Sequence, residues 1–522
     1  MTMDSRKFSS ALQSHYDFIV CGSGSSGSVV ARRLAESPDV SVLLLEAGGA
    51  DDVPSVMNAG EWRLNLGSER DWKYHDTPNP ALNGRAIPLS MGKVLGGGSS
   101  INAMYWVRGH KNDWDFFASE AGDSAWNYES VKQIYRRIED WQGEPDAEYR
   151  GAGGPVYVRP TEIKPVGSAM FEAMRSMAIP VFASLNGSLT ESDGGGSKVE
   201  LTNRDGKRQS IFRSYIWPYI DRPNLAVLPH ALVTRLLFEG KRATGVELEF
   251  AGKLHRLTAD CETVVSLGAI HTPKLLLQSG IGDEAELNRL GIPVVQHLPG
   301  VGQNFQDHLV LNGCLWEYPE PQQGTPDTQV SLFWKSNPML DTPDLQLVHR
   351  EGTEVAPELA GFDVPGDGWR IFPALVRPQS RGFLRLTGPK PTDPIAIQSN
   401  ALQHPRDMKA MIACVELCRE LGNSSAMRPF VKREVIPGPM KGLEIDQFIR
   451  KSVGTFWHQT CTAKMGRDAM SVVDAQLKVY GIDRLRIADG SILPRVPTGN
   501  SMAPCTVVGE RAAEILRKTY KL

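Results

Sequence analysis

The stretch from Tyr16 to Glu46 restricts the fold more than any other part of the chain. A short apolar run, Tyr16 to Cys21, leads into GSGSSG (Gly22 to Gly27), then a helical segment, Ser25 to Glu36, then a second apolar run, Val40 to Glu46. Strand, glycine turn, helix and strand in that order open a dinucleotide-binding fold. The first glycine permits a tight turn, the second lets a pyrophosphate approach the backbone, and the third lets helix and strand pack closely. Phosphate charge then lies at the helix N-terminus, beside Ser25 and Ser26, where free N–H groups and the dipole favour it. Glu46, nineteen residues beyond Gly27, can accept hydrogen bonds from a ribose diol. The motif does not choose between NAD and FAD. It disfavours NADP, whose ribose phosphate Glu46 would repel.

At 522 residues the chain exceeds what one compact core holds, so at least two structural units are expected. A net charge of −3 gives no reason to expect a nucleic acid or an anionic membrane as partner. No apolar run of about 18 residues is present, so no membrane span is expected. Residues 1–15 lack the apolar core of a signal peptide. The seven cysteines are scattered without a CxxC, which points to reduced thiols in a cytoplasmic protein and to no metal site.

Further along, Asn58 to Pro88 reads as loop and Val131 to Glu139 as helix. The Gly-rich GAGGPVYV (Gly151 to Val158) marks a boundary. Asn224 to Leu237, Ala243 to Phe250 and Glu262 to Leu267 read as strands, the last running into a helix over GAIHTPKLLLQSGIG (Gly268 to Gly282). The Pro-rich Tyr318 to Asp327 is excluded from helix and central strand and reads as a surface loop or a cover over a site. Pro378 to Leu386 reads as a turn into a strand. His404 to Leu421 and Ala503 to Lys518 read as helices.

GKVLGGGSSIN (Gly92 to Asn102) lacks the ending of a phosphate loop, and its residues alone fit a tight connection or a cradle for a planar ligand equally well. Five ordered segments, GSGSSG, LLLEAG (Leu43 to Gly48), VLGGGSSIN, GAIHTPKLLLQSGIG and FWHQTCTAKMG (Phe456 to Gly466), together resemble the glucose–methanol–choline (GMC) family of flavin oxidoreductases. The resemblance runs from about Tyr16 to the last helix. It implies an α/β protein in which a Rossmann-like FAD-binding domain (1–155, 200–317 and 449–522) is interleaved with a substrate domain of antiparallel sheet plus helices (156–199 and 318–448). It implies noncovalent FAD, because Ile101 stands where some choline-oxidising relatives carry a tethering histidine.

The same resemblance carries Gly22, Gly24, Ser25, Ser26, Gly27, Glu46 and Ala47 as cofactor-binding. It adds Trp72, Lys93, Gly97, Asn102, Ala103 and Met104. Val233 matches the position that meets adenine through its backbone. Asp489 and Gly490 fall on the ribityl and phosphate side, and Met502 approaches by backbone. His271 and His308 read as packing residues rather than catalytic ones.

Oxidation of an alcohol requires that the hydroxyl lose a proton and that hydride reach flavin N5. A neutral imidazole, with an ordinary pKa of about 6.5, suits the first task. His458 lies where the family places its catalytic histidine, and Asn500 where the family holds His or Asn. An amide can orient the alcohol but takes no proton at neutral pH. His458 is therefore expected to be the base, with a pH profile rising near or above 6.5, and Asn500 its partner. Tyr105, Phe372, Leu375 and Trp457 are candidate pocket walls, and Trp457 and Asn500 count among the cofactor contacts too. The expected reaction is oxidation of a small-molecule alcohol to aldehyde or ketone, with oxygen or another acceptor taking the electrons. The alternatives are a lyase of the same fold that keeps FAD without using its redox chemistry, and a non-redox flavin-binding protein. The residues leave the alcohol open.

Overall fold

The computed structural model describes residues 12–322 and 327–522; most of the polar N-terminal stretch and part of the Pro-rich segment lie outside them. Among the described residues two large sheets carry the architecture, one of seven strands and one of eight.

The first sheet is built around His15–Cys21. It pairs in parallel with Val42–Leu45 on one side and with Lys253–Val265 on the other. Leu225–Leu228 extends the parallel set beyond Val42–Leu45, and Leu485–Ile487 joins the far end of Lys253–Val265. Val42–Leu45 is wholly apolar and buried, as are Phe18 to Cys21 of the first strand, as a sheet covered on both faces requires. An antiparallel ribbon, Leu232–Glu239 with Arg242–Phe250, continues from the other end of Lys253–Val265. The single strand expected over Asn224 to Leu237 is thus two strands. The chain leaves the parallel set at His230, whose backbone is left-handed (φ 58°), and enters the ribbon. Helix Ser25–Leu34 covers the sheet, and helix Met502–Tyr520 packs on it in turn.

The second sheet runs Arg433–Ile436, Cys314–Glu317, Gly368–Leu375, Leu345–Glu351, Thr328–Trp334, Gly195–Lys198, all antiparallel. Leu309–Leu311 and Val453–Thr455 pair with each other and attach beside Gly368–Leu375. Helix Pro405–Gly422, capped by His404, buries Met411, Cys414, Val415 and Cys418 against this sheet. The residue boundaries expected for the two units differ from the pairing. Leu309–Leu311, Cys314–Glu317 and Val453–Thr455 belong to the second sheet. Val156–Pro160 sits in a small three-stranded sheet, and Val156 and Val158 pack in the first core. No helix among the described residues is long and apolar enough to cross a membrane.

Candidate functional site

A cavity of about 1020 Å³ lies between the two sheets and reaches from the Gly22 turn to His458. At its nucleotide end Gly22 is left-handed (φ 98°), and a Cβ there would collide with the Ser266 carbonyl. Gly24 faces open space, with nothing within 4 Å of a Cβ built on it, and Gly98 does the same from the second glycine loop. No side chain caps the N-terminus of Ser25–Leu34 and no acidic residue occupies its first turn. Glu46 closes this end. Its carboxylate accepts from Ser23 Oγ (2.7 Å), Ser23 N–H (3.2 Å) and Gly48 N–H (2.9 Å). Burial pushes its pKa up, against the pull of those donors. Open glycine surfaces, an uncapped helix start and a ribose-height carboxylate fit the dinucleotide half of FAD.

The other end is made by the corner after Val453–Thr455. Pairing of that strand with Leu309–Leu311 sets the Asp307–His308 pair beside Thr455–His458. The Asp307 carboxylate accepts from the His458 backbone N–H at 2.8 Å and from the Thr455 hydroxyl, while Trp457 N–H donates to Thr455 Oγ1 at 2.7 Å. These bonds hold Trp457 in the left-handed region (φ 61°), rare for a bulky residue, and turn the His458 ring into the cavity. Burial raises Asp307 to about 7, with the Thr455 and backbone donors opposing.

The His458 ring has a partner at each nitrogen. Nδ1 is 2.9 Å from His308 Nδ1, and Nε2 is 3.1 Å from Asn500 Nδ2. Gln346 Nε2 donates to Asn500 Oδ1 at 3.4 Å, which turns the Asn500 amide nitrogen toward His458. The network therefore puts the lone pair on His458 Nε2 and the proton on Nδ1, donated to His308. Burial, then the charge of His308, lowers the His458 pKa well below 6.5. Burial likewise lowers His308 to about 3. A base titrating at or above 6.5 is not what this environment makes.

Most of the residues singled out from sequence line this cavity. At the nucleotide end they are Gly22, Gly24, Ser25, Ser26, Glu46 and Ala47, with Val233. Along its middle come Trp72, Gly97, Ile101, Asn102 and Ala103, with Asp489, Gly490 and Met502. Tyr105, Phe372, Trp457, His458 and Asn500 enclose the far end.

Four do not line it. Gly27 is where helix meets strand: a Cβ would collide with the Gly22 carbonyl. Lys93 turns its ammonium over the Trp72 ring, 4.8 Å from the centroid. Met104 has a left-handed backbone (φ 62°) whose carbonyl accepts from Thr202 N–H, and its side chain is buried. Leu375 belongs to the core of the second sheet; three residues from Phe372 on one strand, it points to the opposite face. Asp489, though at the cavity, also binds protein, accepting from Gly268 N–H (2.9 Å), Ser491 N–H (2.8 Å) and Thr272 Oγ1 (2.6 Å). His271 is half-buried and lines the cavity, with its ring 4.1 Å from that of Trp72 and hydrogen-bonded to Tyr74.

Sequence reasoning missed Asp307 and Gln346 and did not place His308 against His458. Nothing local in the loop that carries Asp307 and His308 says that it faces Thr455–His458.

Comparison with known proteins agrees with this geometry. The GMC oxidoreductase family pattern matches residues 16–310 with its N-terminal part and 378–509 with its C-terminal part. The mitochondrial choline dehydrogenase of Mus musculus is 35% identical, covering 98% of this chain and 91% of that protein. The alcohol dehydrogenase [acceptor] of Pseudomonas putida is 34% identical, covering 96% and 95%. Among solved structures, pyridoxine 4-oxidase from Mesorbium loti superposes with a TM-score of 0.89 at 28% identity, over 97% of this chain and 99% of that one. With motifs, topology and full-length relatives in agreement, the chain belongs to the GMC oxidoreductase family.

Proposed function

We propose that this protein is an FAD-dependent enzyme that oxidises an alcohol to an aldehyde or ketone, with His458 as general base and Asn500 as its orienting partner. The observation that carries the reading is the 3.1 Å approach of His458 Nε2 and Asn500 Nδ2 in the cavity whose other end is the Gly22–Glu46 nucleotide turn. An alcohol oxygen that displaces this direct contact donates its proton to the His458 lone pair and accepts from the Asn500 amide. His458, neutral through its burial, is ready to take that proton, and Asn500, held by Gln346, fixes the oxygen. Gly24, Gly98, the start of Ser25–Leu34 and Glu46 would hold the cofactor, without a covalent tether at Ile101. The chemistry that FAD supplies when bound is acceptance of the hydride from the carbinol carbon, with the electron pair passed on to oxygen or another acceptor.

The two sheets are the cores of two interleaved units. The substrate unit comprises 161–199 and 318–448, enlarged by the strands at 309–317 and 453–455. All seven cysteines are unpaired, which suits a reducing compartment such as the cytoplasm.

The test is to mix the purified holoenzyme with a panel of alcohols under anaerobic conditions and follow the flavin spectrum. Bleaching by at least one alcohol, with the aldehyde or ketone formed in equal amount, is expected. A flavin that no alcohol bleaches, in a protein that instead cleaves a carbon–carbon bond, would replace oxidation with the lyase reading.

A further inference from the structure

The strand Leu345–Glu351 sets Gln346, Val348 and Arg350 at alternate positions, and so on one face. Gln346 bonds Asn500, while Val348 and Arg350 line the cavity. At about 3.3 Å of rise per residue this face runs roughly 13 Å from the catalytic pair to Arg350. The neighbouring strand repeats the pattern, with Phe372 opposite Val348 and Arg370 opposite Arg350. Two guanidinium-bearing residues thus stand directly across an antiparallel pair, where like charges are unfavourable. Arg63 adds a third: it lines the cavity, and the charge of Arg350 helps to lower its pKa.

One carboxylate pairs with two of the three. Glu354 lies 2.7 Å from Arg370 and 3.8 Å from Arg63, with its side chain 61% exposed. Arg370 is fully buried, and its Nε and Nη1 have no hydrogen-bond partner. Among the described residues the Arg350 side chain has no hydrogen bond or ion pair. Asp327, at the edge of the same row, lies in the field of Lys164 and Arg159. At this end of the cavity Arg85 is paired with Glu358, and Glu354 is shared by Arg370 and Arg63, which leaves Arg350 as an unmatched positive charge beside the apolar surfaces of Val348 and Phe372. A choline-like cation would meet repulsion there.

We propose that Arg350, with Arg63 beside it, binds an anionic group carried by the substrate several bonds from its hydroxyl, so that the enzyme selects anionic alcohols over neutral and cationic ones. The inference rests on the alcohol-oxidation reading for its assay, but anion binding tests it separately. A guanidinium offers two parallel N–H donors to a carboxylate, phosphate or sulfonate, which fixes the orientation of the far end while Asn500 fixes the near end.

Three alcohols decide it: 4-(hydroxymethyl)benzoate, its neutral methyl ester, and choline. With the holoenzyme, kcat/KM is expected to be highest for the carboxylate. Arg350→Met should lower that value about 10–100-fold, the usual effect of losing a charge-assisted hydrogen bond. The ester value should stay within about threefold, which also shows that the variant is folded, and Arg350→Lys should restore part of the loss. Benzoate, which cannot be oxidised, should bind wild-type holoenzyme in a calorimetric titration and bind Arg350→Met at least tenfold more weakly. Better turnover of the ester or of choline, or an equal loss on both aromatic alcohols, would overturn the proposal. If no alcohol bleaches the flavin, the oxidation reading has failed, and the benzoate titration alone then decides: equal affinity in wild type and Arg350→Met overturns the anion site.

Discussion

The imidazoles of His308 and His458 meet Nδ1 to Nδ1 at 2.9 Å, with their planes 80° apart. Two ring nitrogens in hydrogen-bond contact share one proton, so one ring donates and the other accepts. With Asn500 donating to the far side of His458, the donor is His458. The Nε2 lone pair is thereby fixed toward the cavity. A second imidazole, unlike a carboxylate, offers no negative charge to stabilise a protonated His458, which agrees with its lowered pKa.

His458→Ala should keep the fold and the bound FAD and slow flavin reduction by alcohol about 10²–10⁴-fold. Asn500→Ala should lose less, since water can replace an orienting hydrogen bond. Anaerobic stopped-flow reduction measures both. Near-wild-type reduction of the histidine variant alongside a dead asparagine variant would reverse the assignment.

The pH dependence follows from the lowered pKa of His458. A base whose pKa lies well below 6.5 is deprotonated throughout the neutral range, so the reduction rate should be flat from pH 6.5 to 8. It should fall only on the acid side. An inflection near 7 that vanishes in Asp307→Asn would report that carboxyl, whose pKa is about 7. One that persists there would contradict a buried neutral His458.

What the sequence makes legible is what is local or carried by motif. The Gly22 turn, the Ser25–Leu34 helix and Glu46 lie within one βαβ unit, and each glycine has a steric reason that can be read in isolation. His458 and Asn500 are legible through the resemblance alone. The second sheet is not, because its neighbouring strands come from distant stretches such as Gly195–Lys198 and Thr328–Trp334. The partners of His458 are hidden for the same reason: Asp307 and His308 reach it across some 150 positions. Leu375 fails for a different reason. Strand alternation forbids it from sharing a face with Phe372, and that rule could have been applied had the strand been recognised.

Glu46→Gln should weaken FAD retention about 10–150-fold, through loss of a charged acceptor for the ribose diol. Fluorescence of FAD released on dilution reads this. Reloaded variant should be reduced by alcohol at close to the wild-type rate, and equal retention would remove Glu46 from the ribose role.

Acid precipitation should release the yellow colour into the supernatant, since Ile101 offers no atom for a covalent link. Colour retained in the pellet would show a tether at another residue.

Asp307 makes stability depend on pH. In the unfolded chain its carboxyl ionises near about 3.9, but in the folded protein near about 7. Between those values the folded state holds a proton that the unfolded state has released. The stabilisation is complete below about 3.9, declines as pH rises, and is gone above about 7. The melting temperature of wild type relative to Asp307→Asn should therefore fall by about 2–3 °C from pH 5 to pH 8. Parallel curves for the two proteins would show that the carboxyl does not titrate late.

The floor of the nucleotide turn comes from the far end of the polypeptide. Ser26 Oγ donates to the Cys505 carbonyl across 479 positions, and Gly509 lets the Met502–Tyr520 helix lie against Ser26 and Val29. A ribosome adding about 5–20 residues per second needs on the order of a minute to deliver that helix after making the turn. Throughout synthesis the glycine loop is thus an unfinished socket, and cofactor loading is an event that follows translation. A chain that stops before Met502 should emerge colourless even though every residue of its GSGSSG motif is present.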